Sequence, residues 1–491
     1  MSSTRTLPRI TTGVHGLDFL LGGGLFQTGV YIVQGGAGSG KTIFANQVCF
    51  HQAAQQKRAV YYTLLTESHD RMMAFLQPLA FFEPKQIPNA VNYVSGFKIL
   101  ENEGLPGVLR SIRDVVAAQK PTLLVVDGVV TAEEIAPNDT AFKKFLHELQ
   151  TLSTMFRCTT LLLTNTDAAK RLHAEHTMVD GIIELRSDVG RFQAHRAIEV
   201  SKFRGGGQQR GPHTFEISDE GIRIFPRIET ILRPAGERPR PTERTRAAFG
   251  IERLDRVLEG GLPTSSNTML LGASGTGKTV LGLHFLDAAA ARGERGMFFT
   301  FYEQRDELIE KARRFGLEAF ARGVEDGQIE VIWHSSVEAN VDHIGNRLLA
   351  SYQRIKPARV VIDGLHGFQV TVDPAERVQD FFAAMADHFM VEHSTILFTS
   401  ETPDLVGQRS IHPPFPNASR ICQNIVVIRY AELQGRVERV LSVIKMRDSN
   451  FDPSLHMLTI GSRGIELGEL TTEADMLLGG QPRRTWSPTG A

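Results

Sequence analysis

The sequence predicts two tandem α/β units, each a mostly parallel sheet with helices on both faces and an antiparallel hairpin added at one edge. Three observations carry this. Short apolar runs alternate with helical patterns, as parallel sheets covered on both sides require. A set of glycine, acidic and basic signatures occurs twice in the same order, with Lys41 and Lys278 standing for the repeat. Between the copies, Pro226 to Thr245 is rich in Pro, Arg and Glu and lacks a sustained hydrophobic period, which reads as an exposed linker.

The boundaries follow: 1–228 for the first unit, 229–246 for the linker, 247–467 for the second unit and 468–491 for a helical or loose tail. Each unit opens on a related stretch, Gly13-Val14-His15-Gly16-Leu17-Asp18 and Gly250-Ile251-Glu252-Arg253-Leu254-Asp255, followed by Gly23-Gly24-Leu25 or Gly260-Gly261-Leu262. Strands are expected at Val30–Val33, Ala59–Leu65, Leu123–Val126 and Thr160–Leu163. Their counterparts are Thr268–Leu271, Met297–Phe301, Val360–Ile362 and Ile396–Phe398. Closer-spaced strands then form the edge hairpins, Ile182–Leu185 with Ala197–Val200, and Ile425–Tyr430 with Val437–Ile444.

After the first strand of each unit comes a glycine-rich turn ending in Lys-Thr: Gly35-Gly36-Ala37-Gly38-Ser39-Gly40-Lys41-Thr42 and Gly272-Ala273-Ser274-Gly275-Thr276-Gly277-Lys278-Thr279. Glycines let backbone N–H groups close around phosphate oxygens, and the helix starting at Lys-Thr presents its positive end to them. A single match is weighed against a ligand-free glycine turn. Two matches in the same strand-to-helix context point to two nucleotide sites binding ATP. Lys41 and Lys278 are then the β- and γ-phosphate cations, and Thr42 and Thr279 supply hydroxyls to Mg²⁺.

Asp127 and Asp363 each end an apolar strand and are the candidate partners of those threonines in holding Mg²⁺, against the alternative of an aspartate capping a turn before Gly128 or Gly364. Glu67 and Glu303 follow the next strand of each unit, where a carboxylate can position or deprotonate the attacking water. Lys202 with Arg204, and Lys445 with Arg447, are candidate cations for transition-state charge. They lie far down the chain on an edge strand, so they would serve a neighbouring subunit's nucleotide unless they are solvated edge charges.

Composition limits the class. Lys and Arg number 54 against 55 Asp and Glu, so the chain lacks the basic balance of a nucleic-acid coat. Its most basic run, Arg238 to Arg246, is broken by Glu and Pro. A DNA-binding recombination or helicase module is therefore the disfavoured alternative. Cys49, Cys158 and Cys422 are scattered, which fits a reducing cytoplasm. Residues 1–10 have no apolar stretch of signal-peptide length, and no run approaches the roughly 20 apolar residues of a spanning helix, so a soluble, cytoplasmic protein with no membrane partner is expected.

These motifs, together with Ile217-Ser218-Asp219-Glu220-Gly221-Ile222-Arg223-Ile224-Phe225-Pro226 and the stretch from Tyr430-Ala431-Glu432 to Lys445-Met446-Arg447, resemble the KaiC family within the RecA/RadA/DnaB superfamily over nearly the whole chain. The resemblance implies two RecA-like P-loop domains, slow ATP hydrolysis, a homohexameric double ring with ATP between subunits, a KaiB-like or other signalling partner, and an autokinase in the second half. The chain departs from the family pattern at three places. Thr66 and Tyr302 replace the first of two adjacent glutamates in each half, and Arg420 replaces the second of two hydroxyl acceptors, leaving Ser419 as the sole candidate phosphosite. The expectation is an ATPase with little or no self-phosphorylation, the alternative being a serine/threonine autokinase modified at Ser419.

Overall fold

In a computed structural model, the described residues are 7–66, 69–165, 178–190, 193–232, 245–335, 340–371, 377–402, 418–433, 436–447 and 449–470. They divide into two units, Met1–Arg227 and Ile228–Ala491.

Each unit is built on a nine-stranded sheet. In the first, β1 (Val30–Gly35), β2 (Ala59–Thr63), β3 (Val91–Ser95), β4 (Leu123–Asp127) and β5 (Thr159–Thr164) are parallel, and β6 (Gly181–Gly190) joins β1 in the same sense. Then β7 (Gln193–Phe203), β8 (His213–Ser218) and β9 (Gly221–Phe225) extend the sheet antiparallel, giving the order β9-β8-β7-β6-β1-β5-β4-β2-β3. The second unit repeats this order with β10 (Asn267–Gly272), β11 (Gly296–Thr300), β12 (Ile329–Trp333), β13 (Arg359–Asp363), β14 (Thr395–Glu401), β15 (Asn424–Leu433), β16 (Arg436–Met446), β17 (His456–Gly461) and β18 (Gly464–Glu469). β1 and β10 are the central strands, buried along their whole length, as their aliphatic runs require when helices cover both faces. The two faces of each sheet carry separate apolar clusters.

The opening motif is a clasp. The Asp18 carboxylate accepts from the Thr12 backbone N–H at 3.0 Å and its hydroxyl at 2.8 Å, while Asp255 accepts from the Phe249 and Gly250 N–H groups at 2.7 and 3.0 Å. A strand-edge hairpin is present in each unit where expected, and each carries a bulge, between Ile182 and Ile183 and between Ile425 and Val426.

Two expectations are corrected. The stretch read as exposed linker begins with a helical turn, Ile228–Ile231, that belongs to the second unit's core. Ile228, Ile231 and Leu232 fall on one helical face, so this short segment has an apolar stripe to bury. Ile228 is fully buried, and a side chain at Gly345 would run into it at 2.3 Å. Glu229 and Asp342 together hold Arg377, Glu229 accepting two bonds at 2.7 and 2.9 Å. The tail also starts later than read, because β18 runs through Glu469, with its partner β17 holding it in a closed antiparallel ladder. Among the described residues no helix is long and apolar enough to cross a membrane.

Candidate functional site

β1 and β10 each end in a glycine, and the helices Lys41–Ala54 and Lys278–Ala290 start six residues later. Gly40 and Gly277 both take φ of 101°, and a Cβ there would strike Ile217 or Ile460 of the antiparallel extension at 2.8 or 2.7 Å. Only glycine makes this turn into the helix. Neither helix has a side-chain cap, so the first-turn N–H groups are left for another acceptor. The first unit's loop is open where an anion would enter, since Gly36 and Gly38 face empty space, whereas a Cβ on Gly275 of the second would lie 2.9 Å from the Tyr430 hydroxyl. Lys41 Nζ donates to the Gly35 and Gly36 carbonyls at 2.7 and 2.9 Å, and Lys278 Nζ to those of Gly272 and Ala273 at 2.9 and 2.8 Å. Burial holds both ammonium groups below the usual lysine range, opposed by the nearby carboxylates. Each lysine is thus folded back over its loop and short of charge compensation, which a polyphosphate supplies.

Strand register brings the acids to the same edge. Asp127 lies opposite Thr63 and Leu163, and Asp363 lies opposite Thr300 and Thr399. In the first unit Lys41, Thr42, Thr63, Asp127, Thr131 and Asn165 line one cavity of about 220 Å³. Tyr61 donates its hydroxyl to Asp127 Oδ2 at 2.6 Å. In the second unit Thr279 donates to Asp363 Oδ2 at 2.8 Å and Thr399 to Oδ1 at 2.5 Å. Asp363 is buried, which raises its carboxyl above the ordinary range against those two hydroxyls and Lys278. The P-loop lysines, threonines and strand-end aspartates are therefore gathered in both units.

The other sequence-selected residues are placed differently. Glu67 lies outside the described residues. Glu303 follows β11 but is paired with Lys311 of the next helix, Arg305–Arg314. Lys202 pairs across to Ile182, which pairs to Ile32, and Lys445 follows the same route through Ile425 to Met269. Both positions are three residues back from the P-loop glycine, roughly 10 Å along the strand. Arg204 and Arg447 lie further back still, their N–H groups bonded to the Asp180 and Gln423 carbonyls. Lys445 is turned to the Ser419 and Cys422 carbonyls. The fold brings neither Lys-x-Arg pair to its own unit's P-loop, and it leaves exposed Ser419 beside Lys445 rather than beside Lys278.

Tyr61, Thr399, Asn165 and Glu401 were not selected from sequence. Their signal is weak there, because none keeps its identity between the halves: Leu163 stands at the Thr399 position, and Asn165 at that of Glu401.

A glycine loop entering a helix, a lysine over the loop and an acid at the end of a nearby parallel strand define a P-loop nucleoside triphosphatase, here in tandem. The KaiC ATPase family model matches residues 10–229 and again 247–472, so the chain belongs to the KaiC family of RecA-like ATPases. Similar proteins include the circadian clock protein KaiC3 of Synechocystis sp., 27% identical over 98% of this chain and 96% of its own. The circadian clock oscillator protein KaiC of Parathermosynechococcus lividus is 27% identical over 99% of this chain and 90% of its own. That of Synechococcus elongatus is 22% identical over 98% and 93%.

Proposed function

We propose that both units bind ATP with Mg²⁺ and hydrolyse it, and that the chain works as a nucleotide-dependent switch in a homo-oligomer. The observation that carries this reading is the duplicated gathering of P-loop lysine, threonine and strand-end aspartate at one sheet edge. Lys41 and Lys278 turn from the loop carbonyls to the β- and γ-phosphates. Thr42 with Asp127, and Thr279 with Asp363, would hold Mg²⁺. The hydroxyl and carboxylate oxygens of Thr279 and Asp363, 2.8 Å apart, are the hard donors that ion takes. When bound, it offsets charge on the phosphate oxygens. Glu67 and Glu303 are the sequence-based candidates for positioning water.

The distance of Lys202, Arg204, Lys445 and Arg447 from their own loops supports a second part of the proposal. They complete the site of an adjacent subunit, in a closed ring that the family resemblance makes a hexamer. A switch of this kind suits signalling or timing, the role in the names of the circadian clock relatives, with a KaiB-like or other signalling protein as its reader. Three free, buried cysteines suit the cytoplasm.

Self-phosphorylation is the weaker reading. Tyr302, where the family pattern has a glutamate, is pushed up to about 12 by burial and by Glu401 and Asp363, so at neutral pH it takes no proton from an acceptor. Incubation with γ-labelled ATP tests both readings together. Label released as phosphate supports the switch, and stoichiometric label retained on Ser419 overturns it in favour of the autokinase.

A further inference from the structure

Among the described residues, the second unit's site holds a carboxylate that no motif marks. Glu401 is the last residue of β14, and its Cα lies opposite Gly272, the first residue of the P-loop. The Thr402 N–H bonded to the Gly272 carbonyl at 3.1 Å fixes the backbone at that point. Side chains two apart on a strand share a face. Thr399 directs its hydroxyl to Asp363, so Glu401 projects on the same side, past Asp363 and out of the sheet edge. Thr399 is buried and Glu401 exposed, so the carboxylate is the first group on that face that water can reach. The first unit corroborates the direction, for Asn165 holds the matching position and lines the cavity shared by Lys41, Thr42 and Asp127. Glu401 is also close enough to act on Lys278 and on Tyr302, in each case ahead of Asp363. Glu303, by contrast, is taken up by Lys311.

We infer that Glu401 is the catalytic carboxylate that orients and deprotonates the attacking water in the second unit. The inference rests on the reading of that unit as an ATP hydrolase. The water oxygen forms a bond to the γ-phosphorus, and the bond from that phosphorus to the β–γ bridging oxygen breaks. ADP leaves with the electron pair, and the water's proton passes to the Glu401 carboxylate and on to solvent. The first unit cannot use this position, because the Asn165 amide does not accept a proton at neutral pH. The two sites would then draw on carboxylates from different strands.

The test uses the full chain carrying Lys41→Ala, which confines nucleotide to the second unit, with Glu401→Gln or Glu303→Gln added. Bound ATP and single-turnover phosphate release are measured from pH 5 to 9. Glu401→Gln is expected to keep ATP affinity within about threefold while release falls by about 100-fold or more, the scale of a lost general base. A structural defect would instead weaken binding, which circular dichroism and ATP affinity detect. Release within about twofold of the parent, or a larger loss from Glu303→Gln, overturns the inference while leaving the hydrolase reading intact. A parent that binds ATP but releases no phosphate overturns both.

Discussion

The two units share a strand order and a P-loop, yet they fasten equivalent parts with different chemistry. In the first, Gln47 pins the terminal hairpin, accepting from the Ile222 N–H at 2.8 Å and donating to its carbonyl at 3.2 Å. In the second, His284 does the same work, its Nε2 accepting from the Ile465 N–H at 3.0 Å, and the approach is so close that a Cβ on Gly464 would lie 2.2 Å from that nitrogen. Asp127 is held by a tyrosine on one neighbouring strand, Asp363 by threonines from the P-loop helix and from the strand on its other side. The difference teaches that duplication preserved backbone geometry while the polar partners diverged. The second site is the more enclosed, with Lys278 and Asp363 buried where Lys41 and Asp127 are half-buried.

The largest expected contrast is in stability. Arg377, its partner Asp342 and Glu229 form a partly buried ion cluster for which the first unit has alanine, Ala141, at the Arg377 position. Arg377→Ala removes the guanidinium that both Glu229 and Asp342, whose side chain is 1% exposed, are bonded to. It should destabilise the second unit by about 3–5 kcal/mol and leave the first unchanged, as limited proteolysis of each unit would report. Equal loss in both units would break the comparison.

Next comes pH. Burial pushes His284 down to about 4 from 6.5. Below pH 6.5 the unfolded chain takes a proton that the folded unit refuses, so this contribution is complete above pH 6.5 and is lost as pH falls towards 4, up to about 3 kcal/mol. His284→Gln, which installs the first unit's residue, should abolish that acid sensitivity. Thermal melting at pH 7 and pH 5 would show it, the variant gaining on the parent by about 4–8 °C at the lower pH only.

The smallest contrast concerns the acids. Thr399→Val should weaken Mg²⁺ dependence of the second site by about tenfold, and Tyr61→Phe that of the first by a similar factor, with no crossover. Titration of Mg²⁺ against ATP hydrolysis in the Lys41→Ala and Lys278→Ala backgrounds separates the two. An effect of Thr399→Val on the first site would contradict the assignment of partners.

The central strands, P-loops and strand-end aspartates were legible in sequence because each combines an apolar run with a glycine or charge punctuation that recurs. Val91–Ser95 and Ile329–Trp333 were not, being edge strands whose alternate residues face outward and dilute the apolar signal. The last two strands of each unit were missed as well, His213–Ser218 and His456–Gly461 alternating buried with more exposed residues in the same way. Glu401 was hidden because its strand ends Thr-Ser-Glu, a pattern without a glycine turn, and because its first-unit counterpart is an amide. Tyr61 reads as one more apolar strand residue until its hydroxyl is seen on Asp127. The partnership of Glu303 with Lys311, eight residues on, depends on the turn into the following helix, which the strand pattern does not reveal.

The measurement that tests the account most directly is the number of ATP molecules bound per chain, by equilibrium dialysis with Mg²⁺, in the parent and in Lys41→Ala and Lys278→Ala. Two per chain in the parent and one in each variant are predicted, each lysine loss weakening its own site at least about 100-fold, or about 2.7 kcal/mol. A single nucleotide per parent chain, or two retained tightly after either substitution, would contradict the claim that both units are working nucleotide sites.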